Sequence, residues 1–258
     1  MRPVLASLIL MASLPAWSQG VEKHFYLDVH WFAPGIEGHF VDTSSSNPIN
    51  VDLKNDLGLT RDQTKPGFGA EYQGTRFALE LSRDEQTYKG SNRITRDIVV
   101  DGQTFTADTV VTSSLKATNN TLNWTIRCLA LEHFWVGIDL GARVTQFEIN
   151  ATGLNPPAGT EVTANYKTPL PAPQIGPSVG FQAADGRVLG RAYFHFLAYK
   201  GATYTHPAAD LRFFPISWLG LRVFADAEHY KVPQGSIKSD LDVDLDRAGT
   251  GLGVVVKF

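Results

Sequence analysis

Several things are scarce in this chain of 258 residues. There is one cysteine, Cys128, so no internal disulfide can form, although an exported chain could use them. No apolar run reaches the ~18 residues that a helical membrane span needs. Positive charge is not in excess: 23 lysines and arginines stand against 26 acids, a net charge of −3. A mildly acidic chain lacks the basic footprint of a nucleic-acid binder. The mean hydropathy of −0.12 reads as soluble if only helices are considered. Transmembrane strands escape that criterion, because they need only about 9–11 residues and make every second one apolar.

The N-terminus has a different character. Arg2 supplies a positive start, residues 4–14 form an apolar run broken by two serines, and Pro15 precedes Ala16-Trp17-Ser18. This is the pattern of a secretory signal peptide with a small-x-small cleavage site. As a helix, the apolar run would span about 16 Å against ~30 Å of hydrocarbon, so it is too short for an anchor. The expected domains are a signal peptide at 1–18 and one β-domain at 19–258. Cleavage after Ser18 removes Arg2 and no acid, taking the net charge from −3 to −4.

The rest of the chain alternates. Phe25, Leu27, Val29 and Trp31 oppose Tyr26, Asp28 and His30. Phe77, Leu79 and Leu81 oppose Arg76, Glu80 and Ser82. Trp124, Ile126 and Cys128 oppose Asn123, Thr125 and Arg127. Val136, Ile138, Leu140 and Val144 oppose Asp139 and Arg143. The same pattern holds around Glu71, Arg191, Arg212, Arg222, Asp226 and Glu228. One apolar and one polar face at period two indicates strands. At the C-terminus Leu252, Val254, Val256 and Phe258 share a face, and the sequence ends on that aromatic. Here the chain resembles Gram-negative outer-membrane β-barrels, in which such a terminal strand is the signal read by the barrel-assembly machinery.

The resemblance implies an all-β, antiparallel up-and-down transmembrane barrel. Short connectors at 73–75, 132–134, 185–186 and 215–217 alternate with long polar ones at 42–64, 89–107, 152–172, 201–208 and 232–246. That arrangement gives ten strands if 108–131 is a single strand, and eight or twelve if it is not. Short inner turns and long outer loops are the habit of bacterial barrels. Aromatics at Phe134, Trp135, Phe213, Phe214, Trp218 and Phe258 would form one interfacial girdle. Trp31, Tyr88, Tyr199, Tyr204 and Tyr230 would form the other. A soluble sandwich or lipocalin-like barrel is the alternative. It does not explain the polar residues along one face of nearly every strand.

If the apolar face meets lipid, Asp28, Glu71, Glu80, Asp139, Asp226 and Glu228 point inward with Arg76, Arg127, Arg143, Arg191, Arg212 and Arg222. Unpaired charges in a narrow interior cost several kcal/mol each, so a lattice of ion pairs is expected. A mostly filled lumen favours a structural or surface-interaction role through the outer loops. A small gated or passive pore comes second and an outer-membrane hydrolase third. Asp226-Ala227-Glu228-His229 is locally a little like the Asp/His chemistry of omptin proteases, but period-two facing sets His229 opposite both acids. No catalytic residue and no cofactor is assigned. Asp240, Asp242, Asp244 and Asp246 lie at every second position, a candidate cation site to which Asp52 or Asp56 from the first loop would add a carboxylate. Either they stand beyond the membrane or a bulge near Ala248-Gly249 flips their phase. Expected surroundings are outer-membrane lipid and lipopolysaccharide, the assembly machinery during biogenesis, no nucleic acid, and a monomer.

Overall fold

The computed structural model describes residues 23–42, 49–157, 159–236 and 241–258. The signal-peptide reading and Asp240 lie outside the described residues. The alternating segments become strands, in the order β1 (His24–Asp42), β2 (Asn50–Asp52), β3 (Thr60–Thr64), β4 (Gly67–Gln73), β5 (Phe77–Arg93), β6 (Ile98–Val100), β7 (Gln103–Phe105), β8 (Val110–Ala130), β9 (Phe134–Asn155), β10 (Thr160–Ala183), β11 (Val188–Tyr199), β12 (Ala202–Ile216), β13 (Leu219–Val232) and β14 (Leu241–Lys257). β1, β4, β5 and β8 to β14 form an antiparallel ring closed by β14 on β1. This is the ten-stranded up-and-down barrel. β8 runs unbroken through 118–121. β2 and β3 add to β1 and β5, while β6 and β7 make a separate hairpin.

Closure involves the terminal aromatic. Phe258 N–H donates to the Phe25 carbonyl at 2.8 Å, and Phe25 N–H returns to the Phe258 carbonyl at 3.2 Å. Leu252, Val254 and Phe258 face outward and exposed, with Val255 buried inside. Outward apolar side chains form a belt near the short turns. On β9 the belt runs from Phe134 to Val144, and Gln146, Glu148, Asn150 and Thr152 follow on the same side. β9 has 22 residues and β10 has 24, against the roughly 9–11 that cross a bilayer, so the wall continues well past the belt.

Much of what reads as long polar loop is therefore wall. Residues 152–172 are mostly the ends of β9 and β10, and 201–208 lie almost wholly in β12. The two-residue Asp-Gly turn is instead a connection over 184–187, with Asp185 and Gly186 at φ 54° and 76° and the Arg187 N–H donating to the Ala184 carbonyl. These left-handed angles suit Gly and are tolerated by Asp.

One seam of the ring is thin, and prolines explain it. β10 pairs with β9 without interruption, yet its ladder to β11 runs only from Ala183↔Val188 to Ser178↔Tyr193. The next residue is Pro177, and Pro173, Pro171 and Pro169 follow at the same parity. In an antiparallel ladder, residues of one parity turn both backbone groups toward the same neighbour. Because the β9 side is fully paired, the donors that these prolines lack belong to the β11 side. On the same register Pro177 and Pro173 fall opposite Phe194 and Ala198 and each removes one rung, while Pro171 and Pro169 lie past the end of β11.

Candidate functional site

The interior is the candidate site, and it has two chemically distinct tiers. Near the short turns it is ionic. Arg222 on β13 lies 2.9 Å from Asp28 on β1 and also pairs with Asp210 on β12. Asp210 accepts from Arg212 at 2.9 Å, and Arg212 reaches Glu71 on β4 at 2.7 Å. A second chain crosses from Glu80 on β5 through Arg191 on β11 to Asp139 on β9, at 2.9 and 2.8 Å. Asp139 also accepts from Ser178 at 2.7 Å and bonds the His195 ring at 3.0 Å. Two of these links, Arg212 on β12 to Glu71 on β4 and Arg191 on β11 to Glu80 on β5, join strands four places apart in the ring of ten, so the lattice ties the wall across its own lumen.

Higher in the lumen, Glu228 is shared by two arginines, Arg143 Nε at 2.8 Å and Arg247 Nη2 at 2.8 Å, and accepts from the Tyr204 hydroxyl at 3.2 Å. Arg247 also donates to Gln86 at 2.9 Å. Gln86 and Asn119 each donate to Asp84 Oδ1 at 2.7 Å. His206 bonds Asp226 at 2.6 Å. Back at the short-turn end, Arg127 donates to the Gly74 carbonyl at 2.7 Å and lies over the Trp135 ring. Glycines make room for this filling. A Cβ on Gly251 would sit 2.1 Å from the Phe224 ring, and one on Gly69 would sit 1.9 Å from the Asp28 carboxylate.

Beyond these charges the interior turns apolar. Ile36, Phe40, Leu115, Phe147, Ile149, Leu170, Val243 and Leu245 come from the wall, and all are buried. Val51, Leu53, Leu57 and Leu59 enter from the segment after β1. Ile98, Val100 and Phe105 enter from the β6–β7 hairpin. Segments connecting wall strands thus fold into the open end of the barrel and cap it. Below, a polar recess of about 270 Å³ opens at the short-turn end between His24, Gln73, Gln182 and Lys257, and the polar cavities between it and the cap are small, about 40 Å³ beside Arg127 and Arg212 and about 60 Å³ beside His195, Arg143 and Arg191. Since a water needs roughly 10–15 Å³ by this measure, the small cavities have room for waters and not for a solute.

Several expected positions change. Arg76 lies exposed in the turn between β4 and β5, not on an inward strand position, because the strand ends before it. Tyr88, Tyr204 and Tyr230 are buried in the interior and join no girdle, since they share the inward parity of their strands. Trp135 and Phe214 also point inward, while Phe134, Phe213, Trp218 and Phe258 stay outside. Asp84, Asp210 and Arg247 belong to the lattice although no expectation named them. The signal for two of them was available, since Asp210 has the parity of Arg212 and Asp84 that of Glu80.

The acidic row keeps its outward phase. The β13–β14 register is continuous from Leu219↔Val256 to Val232↔Val243, so no bulge intervenes, and Asp242, Asp244 and Asp246 stand on the outer face past the belt. Asp52 and Asp56 do not join them. Asp52 accepts backbone N–H groups of its own turn, and Asp56 pairs with Arg96 at 2.5 Å. His229 faces outward to Asp246 at 2.9 Å, while Asp226 and Glu228 face the lumen. The local Asp/His unit is therefore split between two sides of the wall.

No protein-family model and no curated protein matches the chain. Among solved structures, the outer membrane protease OmpT of Escherichia coli aligns with a TM-score of 0.61 at 8% identity, covering 93% of this chain and 100% of that one. Ail, the attachment invasion locus protein of Yersinia pestis, aligns at 0.36 and 11% identity, covering 92% and 100%. The transport unit of the autotransporter AIDA-I of Escherichia coli aligns at 0.38 and 8% identity, covering 98% and 95%. Only the first alignment is close enough to bear on architecture, and at that identity what it shares with this chain is the fold of an outer-membrane β-barrel.

Proposed function

We propose that this chain is an outer-membrane barrel that does not conduct, acting as a structural or surface-interaction protein. In this reading residues 1–18 direct export, the belt lies in the bilayer, and the short turns face the periplasm. The wall past the belt is presented outside. The observation that carries the reading is the doubly filled lumen, with ion pairs beside the belt and an apolar cap beyond it. A transport route would need a polar path through both. An Asp/His hydrolase would need its pair on one side of the wall and open to substrate. Here the buried His195–Asp139 and His206–Asp226 pairs face a packed interior, and His229 faces away from Asp226.

Planar-bilayer recording of the refolded protein tests this. The expected record is a flat baseline with at most brief, small events. Sustained ohmic current that scales with the number of inserted barrels would move the assignment to transport.

A further inference from the structure

The lumen does not account for the outer face of β13 and β14 beyond the belt. Past Val223 and Leu252 the outward positions become small, with Ala225, Ala227, Ala248 and Thr250, and then turn polar at His229, Asp244 and Asp246. We propose that these three side chains form a binding site for a first-row divalent transition cation such as Zn²⁺.

The site follows from the strand pairing alone and does not depend on whether the lumen conducts. Asp244 and Asp246 share a face of β14 because they are two apart, and His229 is the cross-strand partner of Asp246 on β13. His229 Nδ1 lies 2.9 Å from Asp246 Oδ1 and 4.0 Å from Asp244 Oδ1. One ligand atom from each of the three fits within 4.8 Å of the others. Zinc bonds to imidazole and carboxylate are about 2.0–2.2 Å, which in a tetrahedral site sets ligand atoms roughly 3.3–3.6 Å apart. The two observed separations bracket that range. The side chains are 37%, 32% and 65% exposed, so they can rotate to close on an ion and a hydrated cation can reach them. The mixed nitrogen and oxygen set selects a borderline cation over Ca²⁺, which takes oxygen ligands.

Charge favours the same occupant. Asp242 extends the row, and Glu37 stands opposite Asp246 across the β1–β14 ladder, its own charge paired with Lys54. Lys231, opposite Asp244, offsets only part of this. His39, also opposite Asp244, brings a second imidazole to the neighbourhood. The interior trio His206, Asp226 and Glu228 has comparable spacing, but Arg143 and Arg247 already occupy Glu228 and would repel a dication.

The test is calorimetric titration of Zn²⁺ into the full-length refolded barrel in detergent, free of chelating buffer. One saturable site is expected. Outer partners of metal ligands are worth about 10–100-fold in affinity, so loss of a ligand itself, in His229→Ala or Asp244→Asn, should weaken binding at least tenfold. Asp242→Asn should change it little. Far-UV circular dichroism confirms that each variant keeps its strands. A second readout needs no variant: Co²⁺ added to the wild type should give a saturable visible absorption that Zn²⁺ abolishes. Absence of saturable Zn²⁺ uptake, absence of the Co²⁺ band, or undiminished binding in the folded His229→Ala/Asp244→Asn double variant would overturn the proposal.

Discussion

The two ends of the lumen solve one packing problem with opposite chemistry. Beside the belt, the inward side chains are polar or small, with Arg, Asp and Glu joined in chains such as Asp28–Arg222–Asp210–Arg212–Glu71 among Asn, Thr, Ser, His and Gly. Beyond the belt they are Ile, Leu, Phe and Val, packed against the segment after β1 and the β6–β7 hairpin. A strand in lipid must alternate apolar and polar if its inner face is to differ from its outer one. Where the wall leaves the belt its outer face turns polar, as at Gln146 and Glu148, and the inner face becomes apolar, as at Phe147 and Ile149. The barrel inverts along its length, from a membrane protein with a polar interior to an ordinary domain with a hydrophobic core.

The comparison predicts that one substitution in the charged tier is the costliest. Glu228→Gln leaves Arg143 and Arg247 buried without their shared carboxylate. Removing one partner of such a group costs about 3–5 kcal/mol. In urea titration of the lipid-embedded barrel the midpoint should fall clearly, and an unchanged midpoint would mean that solvent already screens those arginines.

In the apolar tier, Leu57→Ala should cost about 2–5 kcal/mol, as large-to-small changes in a packed core do. Its signature should differ, because the loss falls on the cap. Limited proteolysis should open the segment 94–109 while the belt-embedded wall stays protected. If global unfolding and cap proteolysis move together, the two tiers are one cooperative unit.

Gly251→Val tests the fit of the filling. Its branches would meet the Phe224 ring, and overpacking typically costs about 1–3 kcal/mol. Lys54→Ala on the surface sets the lower limit. Its pair with Glu37 is mostly exposed, and such pairs contribute about 0–1 kcal/mol.

The ring itself was legible because period two survives in every wall strand and one-residue errors would swap the faces. The ends of the strands were not. Alternation fades where the outer face turns polar, so the ends of β9 and β10 within 152–172 and β14 before Arg247 read as loop, and Arg247 went unassigned. Arg76 erred the other way, since parity was carried one residue past the end of β5. The cap was missed for a different reason. Leu57-Gly58-Leu59 and Ile98-Val99-Val100 are short apolar runs inside polar connectors, and nothing local says that they fold back into the barrel mouth. The pairing of His229 with Asp244 and Asp246 depended on the β13–β14 register, which no single strand encodes.

The central claim is that the lumen is closed twice. Bilayer recording of a barrel in which both cap segments, residues 50–59 and 94–109, are replaced by short Gly-Ser linkers tests it most directly. The account predicts that this variant stays as silent as the wild type, because the chain from Glu80 through Arg191 to Asp139 still fills the lumen beside the belt. A steady, voltage-independent current from the uncapped barrel would show that the ion pairs line an aqueous pore, and would contradict it.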